Sequence, residues 1–287
     1  MDWARQCLRF LEESGEIAPT FSWQEPARAD FEQAFARIQN MIAQGQIDKA
    51  VPVVFARARQ AVTPIMKLRW LLEVLAAPDN LHAHGWWDGE QGLLGATPEI
   101  LFDVQGRALR TMALAGTLAK ADGRAEDLAR SQKDQYEHRL VVKDIRNELQ
   151  NIGQVRVGTT EIVDLPTLWH LKTSIEAELH DEPDIEDLIR RLHPTAALGV
   201  FPRLFGWRWM RELPGQEGRA RYGAPVTWRL GGGRVLSLVG IRHLQWRGDQ
   251  LLLGSGCGIV KDSDIDAEWT ELIRKRQSVL KILGIAT

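Results

Sequence analysis

The segment RYGAPVTWRLGGGRVLSLVGIRHLQWRGDQLLLGSGCGIV, residues 221–260, carries the reading that decides the fold class. Three apolar runs in it are separated by Gly231-Gly232-Gly233 and by Arg247-Gly248-Asp249, which predicts an antiparallel meander. On its C-terminal side a helix is expected from Ser263 or Asp264 to Gly284, with Ile265, Trp269, Leu272, Val279 and Leu283 inward. On its N-terminal side a helix is expected near Ile185–Leu192. A longer one runs from roughly Ala125 to Gln150 and ends at Gly153. Its buried stripe is Leu128, Leu140, Val141, Ile145 and Leu149, while Asp134, Glu137 and Asp144 share another face. Segments 47–58, 80–88, 91–104 and 107–118 are short apolar runs broken by Gly, Pro and Asp, and read as strands and turns. After Pro26, the spacing of Phe31, Phe35, Ile38 and Ile42 predicts an amphipathic helix stopped by Gly45. Residues 1–25 carry little pattern. Sheet-rich segments flanked by helices, without regular strand–helix alternation, predict an α+β domain.

The chain has 287 residues, with Lys+Arg 36 against Asp+Glu 38, so its net charge is 36 − 38 = −2. Hydrophobic residues at 44% and charged residues at 26% exclude a collagenous or disordered chain. Near-neutral charge argues against nucleic acid as a partner, because neutralising phosphates needs a basic excess. Cys7 and Cys257 form neither a disulfide framework nor a zinc cluster, as expected of a reducing, cytoplasmic compartment. The start MDWARQCLRFLEESGEIAP lacks the pattern of a signal peptide, and no apolar run is long enough to span a membrane. The 11 Trp against two Tyr have no compositional explanation.

Several residue sets could carry chemistry, each with a plainer alternative. Asp134/Glu137 and Glu268/Glu271 are spaced i, i+3 on expected helices, so each pair shares a face about 5–6 Å apart at Cβ. Facing each other they would offer oxygen ligands to Mg²⁺; otherwise they are solvated helix faces. The alternating glycines of Gly254-Ser255-Gly256-Cys257-Gly258 would let backbone N–H groups approach an anion, or they form a simple strand-to-helix turn. Lys49 lies in an apolar stretch where a lysine could serve as a general base, or snorkel to solvent. Glu99 is either a general acid raised by burial or a surface turn residue. His82 and His84 have strand spacing but no third metal ligand nearby.

Eight ordered blocks resemble the chorismate-utilising enzymes, the family of isochorismate, salicylate, anthranilate and aminodeoxychorismate synthases. They are LLGATPEILF (93–102), ALRTMALAGT (108–117), KDQYEHRLVVKDIRNEL (133–149), LWHLKTSIEAEL (168–179), LHPTAALGVFPR (192–203), RYGAPVTW (221–228), LVGIRHL (238–244) and GSGCGIVKDSDIDAEWTEL (254–272). The resemblance implies large antiparallel sheets packed as a sandwich with helices outside. It also implies a short N-terminal segment (1–26) before a single chorismate-binding catalytic domain (27–287).

By family position, Glu137, Glu268 and Glu271 resemble Mg²⁺ ligands, with Asp134 beside them. His170, Tyr222, Arg242, Ala115, Thr117, Gly254, Gly256 and Gly258 resemble the substrate site. Lys49, the fourth residue after Gly45, stands where water-adding members have Lys and ammonia-adding members have Gln. The resemblance makes Lys49 the base that activates water at C2, and Glu99 the acid at the departing C4 hydroxyl. Ala115 replaces a lysine frequent in aminodeoxychorismate synthases. Pro194-Thr195-Ala196-Ala197 is most similar to the menaquinone-type isochorismate synthases. The implied activity is Mg²⁺-dependent conversion of chorismate to isochorismate by a monomer or homodimer, without a glutaminase subunit. It would serve menaquinone or siderophore biosynthesis. Salicylate synthase, an ammonia-dependent synthase and a non-catalytic chorismate binder are the alternatives. Ala177, Val200, Ala220 and Thr227 replace family glycines and are expected to add volume near the pocket.

Overall fold

The structure is a computed structural model that describes residues 2–13, 20–206, 208–216 and 219–286. Its elements in chain order begin with α1 (Asp2–Glu13), α2 (Arg28–Ala43), β1 (Lys49–Ala50), β2 (Val53–Arg59) and α3 (Pro64–Leu75). Then follow β3 (His82–Asp88), β4 (Gln91–Thr97), β5 (Ile100–Gln105), β6 (Ala108–Ala119), α4 (Ala125–Arg130) and α5 (Gln132–Leu149). The middle of the chain forms β7 (Gly153–Asp164), β8 (Leu168–Leu179), α6 (Ile185–Leu192), β9 (Val200–Phe201) and α7 (Arg208–Arg211). The C-terminal part forms β10 (Pro225–Arg229), β11 (Arg234–Val239), β12 (His243–Arg247), β13 (Gln250–Gly256) and α8 (Ile265–Ile282).

A six-stranded sheet runs in the order β10-β11-β5-β6-β8-β7, and a five-stranded sheet in the order β2-β13-β12-β4-β3. β1 and β9 form a separate antiparallel pair. The fold is α+β with antiparallel ladders, as expected. One core cluster joins Val53 and Phe55 of the five-stranded sheet to Leu101, Phe102, Leu109 and Ile175 of the other, and to Val141, Ile145 and Leu149 of α5. A second packs Leu94, Leu244, Leu251 and Leu253 beneath Trp70 of α3 and Val279 of α8.

The meander expected over 221–260 is instead two hairpins in different sheets. β10 pairs with β11 in one, β12 with β13 in the other. The chain changes sheets at Gly240-Ile241-Arg242, where Arg242 takes φ 56. A second change occurs at Pro98-Glu99, between β4 and β5. The two crossings lie side by side, because Val239 N–H donates to Glu99 O (3.1 Å) and Ala96 N–H to Arg242 O (3.2 Å).

The long helix expected from Ala125 to Gln150 is two. Ser131 is extended (ψ 111), and its hydroxyl accepts from Asp134 N–H, capping α5 afresh. α6 starts at the Asp184 cap and α8 at Asp264, whose side chain accepts from Asp266 N–H and Ala267 N–H. The sequence reading passes over α1, α3, α7, β7, β8 and β9. α1 sets Ala4 and Leu8 against Leu72 of α3. α3 begins with the strong start signal Thr63-Pro64, in which Thr63 accepts from Met66 N–H. β7 is largely exposed and has no alternating apolar pattern to betray it. Trp269 packs on Phe31 (5.4 Å between rings), tying α8 to α2, and Arg221 lies over Trp86 (4.5 Å). Trp207 lies outside the described residues.

Of the four residues that replace family glycines, Ala177 is buried in the core and Thr227 hydrogen-bonds Ser237 (2.8 Å), both on the six-stranded sheet and outside the lining of the cavity described below. Val200 pairs with Ala50 in the small β1–β9 ladder. Ala220 alone of the four lines a cavity, at φ 48, where an L-residue costs about 1–2 kcal/mol.

Candidate active site

The sheet crossings bring Glu99 and Arg242 to one cavity, also lined by Ala115, Thr117, Glu137, His170 and Tyr222. β6 reaches it through a bulge. Its register against β8 shifts between Ala115 and Thr117, with Gly116 at φ 77. The bulge turns Gly116 O toward His170, whose Nδ1 lies 3.3 Å from it and 3.0 Å from Thr117 Oγ1. On the other ring nitrogen, Arg242 Nη2 lies 3.1 Å from His170 Nε2. A guanidinium only donates, so Nε2 accepts and the ring proton sits on Nδ1. Burial first, and then Arg242, hold the His170 pKa well below the usual imidazole range, so the ring stays neutral.

Glu99 is 4% exposed, and burial pushes its carboxyl up to about 7 against the pull of Lys49, Lys275 and Arg242. It is a carboxylic acid poised to hold a proton near neutrality. Lys49 is fully buried in β1, where its Nζ lies 2.9 Å from Glu137 Oε1. Snorkelling is excluded. Burial alone would raise Glu137, but Lys49 and then Lys133 outweigh it and hold the carboxylate at about 2. Tyr222 is buried edge-on to Phe55 (5.9 Å), and burial raises its hydroxyl pKa.

Of the two readings of the glycine run, the simple strand-to-helix turn is not what forms. Gly254, Ser255 and Gly256 end β13 and pair with β2. Gly254 lies outside the cavity lining, and a Cβ there would sit 2.6 Å from Tyr222 Cδ2 and 2.9 Å from Phe55 Cε1, so it makes room for two rings. Gly256 and Gly258 do line the cavity. A Cβ on Gly258 would fall 2.0 Å from Glu137 Oε1 and 2.7 Å from Lys49 Cε. Gly258→Ala is therefore expected to destabilise the fold by about 1–3 kcal/mol through overpacking. Urea unfolding reads this, and an unchanged midpoint would mean that the Lys49–Glu137 pair is not held against this backbone.

The acids expected to hold metal do converge, α5 supplying Asp134 and Glu137 and α8 supplying Glu268 and Glu271. An ammonium stands among them. Lys133 Nζ lies 2.6 Å from Glu268 Oε1, 3.3 Å from Glu137 Oε2 and 3.6 Å from Asp134 Oδ1. Burial opposes the charge of Lys133, yet these carboxylates hold its pKa well above the usual range. Glu271 pairs with Lys275 (2.5 Å), whose Nζ also donates to Gly256 O (2.8 Å). Burial pushes Glu268 up to about 7. Among the described residues no three acid, histidine or cysteine groups stand in a ready metal-holding arrangement. The donor chemistry nonetheless fits a hard divalent cation, because the buried oxygens Asp134 Oδ1 and Glu268 Oε2 have no hydrogen-bond partner.

Asp144, expected beside Asp134 and Glu137, is elsewhere. It grips Arg203 through two hydrogen bonds (2.6 and 2.7 Å) and accepts from Ala196 N–H (2.8 Å), fixing the segment that carries Ala197 and Leu198 to the cavity wall. His84 pairs with His243 (3.2 Å) rather than with His82. The sequence reading missed Lys133 and Lys275. Both stand at i, i+4 to a site acid, Lys133 before Glu137 and Lys275 after Glu271, and that spacing was their signal.

Residues 7–284 match the family model described as "Chorismate binding enzyme". The salicylate biosynthesis isochorismate synthase of Pseudomonas aeruginosa is 36% identical over 208 residues, covering 68% of this chain and 43% of that protein. Isochorismate synthase EntC of Escherichia coli is 31% identical over 271 residues, 91% of this chain and 68% of that protein. Among solved structures, MenF, the menaquinone-specific isochorismate synthase from Escherichia coli, superposes with TM-score 0.80 at 27% identity, covering 93% of this chain and 64% of MenF. The chain thus spans between two fifths and about two thirds of the length of these relatives. Matched along nearly its whole length, with the matching blocks gathered around one cavity, the chain belongs to the chorismate-binding enzyme family.

Proposed function

We propose that this protein converts chorismate to isochorismate, and that Mg²⁺ bound by Glu137, Glu268 and Glu271, with Asp134 adjoining, is required. One observation carries the reading: a buried carboxyl that keeps its proton near neutrality, Glu99, lines one small cavity, and a fully buried lysine, Lys49, stands directly behind Glu137 of the same lining. That is the pair an allylic displacement by water needs. Water forms a bond to C2 as the C4–oxygen bond breaks, and the two conjugated double bonds of the ring each move one position, from C1–C2 to C1–C6 and from C5–C6 to C4–C5. Lys49 is assigned as the base that takes the proton from the attacking water, and Glu99 as the acid that gives one to the leaving hydroxyl. One water enters and one departs, so the reaction is an isomerisation.

Arg242 suits a substrate carboxylate, for which its fork of donors is shaped. Neutral His170, held between Thr117, Gly116 and Arg242, fixes the guanidinium. Gly256 and Gly258 leave the wall open for backbone N–H groups to meet the same anion. The metal, when bound, would neutralise the clustered acids and hold a substrate carboxylate. Ala115 leaves no amine on its side of the cavity, which disfavours a covalent aminodeoxychorismate-type route. The names of the relatives, isochorismate synthases described as menaquinone-specific, of salicylate biosynthesis and vibriobactin-specific, support the same chemistry. Among the described residues no helix is long and apolar enough to cross a membrane, in keeping with a cytoplasmic enzyme acting on a small dianion.

The test is purified protein with chorismate, with and without Mg²⁺ and ammonium, followed by chromatography. Isochorismate formed only with Mg²⁺ is expected. Pyruvate and salicylate would make it a salicylate synthase, and an amino product dependent on ammonium would overturn the assignment of water as nucleophile. Binding without turnover would leave a chorismate-binding protein.

A further inference from the structure

We propose that Lys133 is a displaceable resident cation. Its ammonium holds the carboxylate cluster together in the metal-free protein, and an incoming divalent ion must expel it to bind. The proposal rests on the assignment of Mg²⁺ to this cluster.

The three lysines around the acids are not equivalent. Lys49 is sealed, with a side chain 0% exposed, and pairs among the described residues with Glu137, while Lys275 pairs with Glu271. Lys133 bridges both helices, touching Asp134 and Glu137 of α5 and Glu268 of α8. It therefore stands where the carboxylates of the two helices meet, the place a shared metal ion would take. An ammonium is a poor substitute. It offers three donors and one charge, whereas Mg²⁺ takes six oxygens and brings two charges. The shortfall is visible, because Glu268 is 2% exposed and its Oε2 still has no hydrogen-bond partner.

Lys133 also has a way out. Its side chain is 21% exposed and borders an open cavity of ≈ 550 Å³. Asp122 and Asp266, which already pair with Arg274 and Arg28, line that cavity together with Arg274, Asp262, Asp264, Glu268 and Glu271, so acids outnumber bases there. Such a mouth concentrates cations and offers new partners to an expelled ammonium. It shares Thr117 with the reaction cavity. A separate cavity of ≈ 470 Å³, which shares Leu198 and Tyr222 with the reaction cavity, carries Arg211 and Arg219 instead. Cation and dianionic substrate thus have mouths of opposite charge, and Lys133 stands in the cation's.

Two measurements on metal-stripped protein test this. Calorimetric titration with Mg²⁺ alone compares wild type, Lys133→Gln and Lys133→Arg. The Gln variant, which lacks the competing charge, is expected to bind Mg²⁺ at least about tenfold tighter, while the Arg variant gains nothing. In the wild type, brief treatment with acetic anhydride followed by peptide mass spectrometry reads the reactivity of Lys133. Mg²⁺ is expected to raise it several-fold, with exposed Lys281 unchanged as reference. Equal affinity of wild type and the Gln variant overturns the proposal and leaves the metal assignment standing. So does unchanged reactivity of Lys133 in metal-saturated wild type, which decides the matter alone should the Gln variant not fold. Absence of Mg²⁺ binding in all three proteins removes the metal assignment, and the proposal with it.

Discussion

Lys49→Gln is expected to lower the turnover number for isochorismate by about 10²–10⁴-fold, the range for losing a positioned general base. KM should change far less, because Lys49 lies behind Glu137 and outside the cavity lining. The substitution has a second consequence. Removing one partner of a buried ion pair costs about 3–5 kcal/mol when the other charge is left alone. Glu137 keeps Lys133 at 3.3 Å, which places the expected loss at or below the lower end of that range. Thermal unfolding measured beside the kinetics separates the two effects. A folded variant that binds chorismate yet does not turn it over supports the assignment. A folded variant with unchanged isochorismate formation ends it.

Glu99→Gln is expected to reduce turnover by a comparable ~10²–10⁴-fold and to change the pH profile. The acid must carry its proton to donate it, and its pKa in the folded protein is about 7. Wild-type kcat/KM should therefore fall as pH rises through about 7, and the residual activity of the variant should lack that limb. The same shift bears on stability. A carboxyl whose folded pKa lies above its unfolded value stabilises the fold most below the unfolded value, and that contribution is lost as pH rises through the folded one. Between about 4.5 and 7 wild-type stability should decline, in part through Glu99. At pH 8 the uncharged Gln variant should melt a few degrees higher than wild type, about 1–3 kcal/mol in its favour. A variant that melts lower at pH 8, or keeps the alkaline limb, would show that Glu99 is not the buried acid.

The sequence disclosed those parts of the fold that local patterning controls. α2, α6 and α8 lie where periodicity and caps put them, because their buried stripes and the Asp184 and Asp264 caps are written within a few residues of each other. The change of sheet at Gly240–Arg242 was not legible. It turns on which long-range ladder each hairpin joins, and strand patterning is the same in either sheet. The break at Ser131 was hidden because no apolar residue stands between Ala129 and Tyr136 to show whether one helix continues there. The candidate site shows the same division. Glu99, Glu137, His170, Tyr222 and Arg242 were found as members of ordered blocks, and the structure brings them to one cavity. The presence of Lys133 among the acids follows from how α5 and α8 approach each other, which no single segment encodes. Gly254 was misread because its neighbours, Tyr222 and Phe55, are remote in sequence.

Glu99 and Arg242 occupy the two short links by which the chain passes from one sheet to the other, hydrogen-bonded side by side. Their separation is therefore a dimension of the framework rather than a property of a loop. For protein engineering this divides the chain sharply. The far turns at Gly231–Gly233 and Arg247–Asp249 should accept inserted residues, tags or grafted loops without moving the reacting groups. One residue added at 98–99 or at 240–242 would slip a whole ladder by half a pleat and turn its inward side chains out.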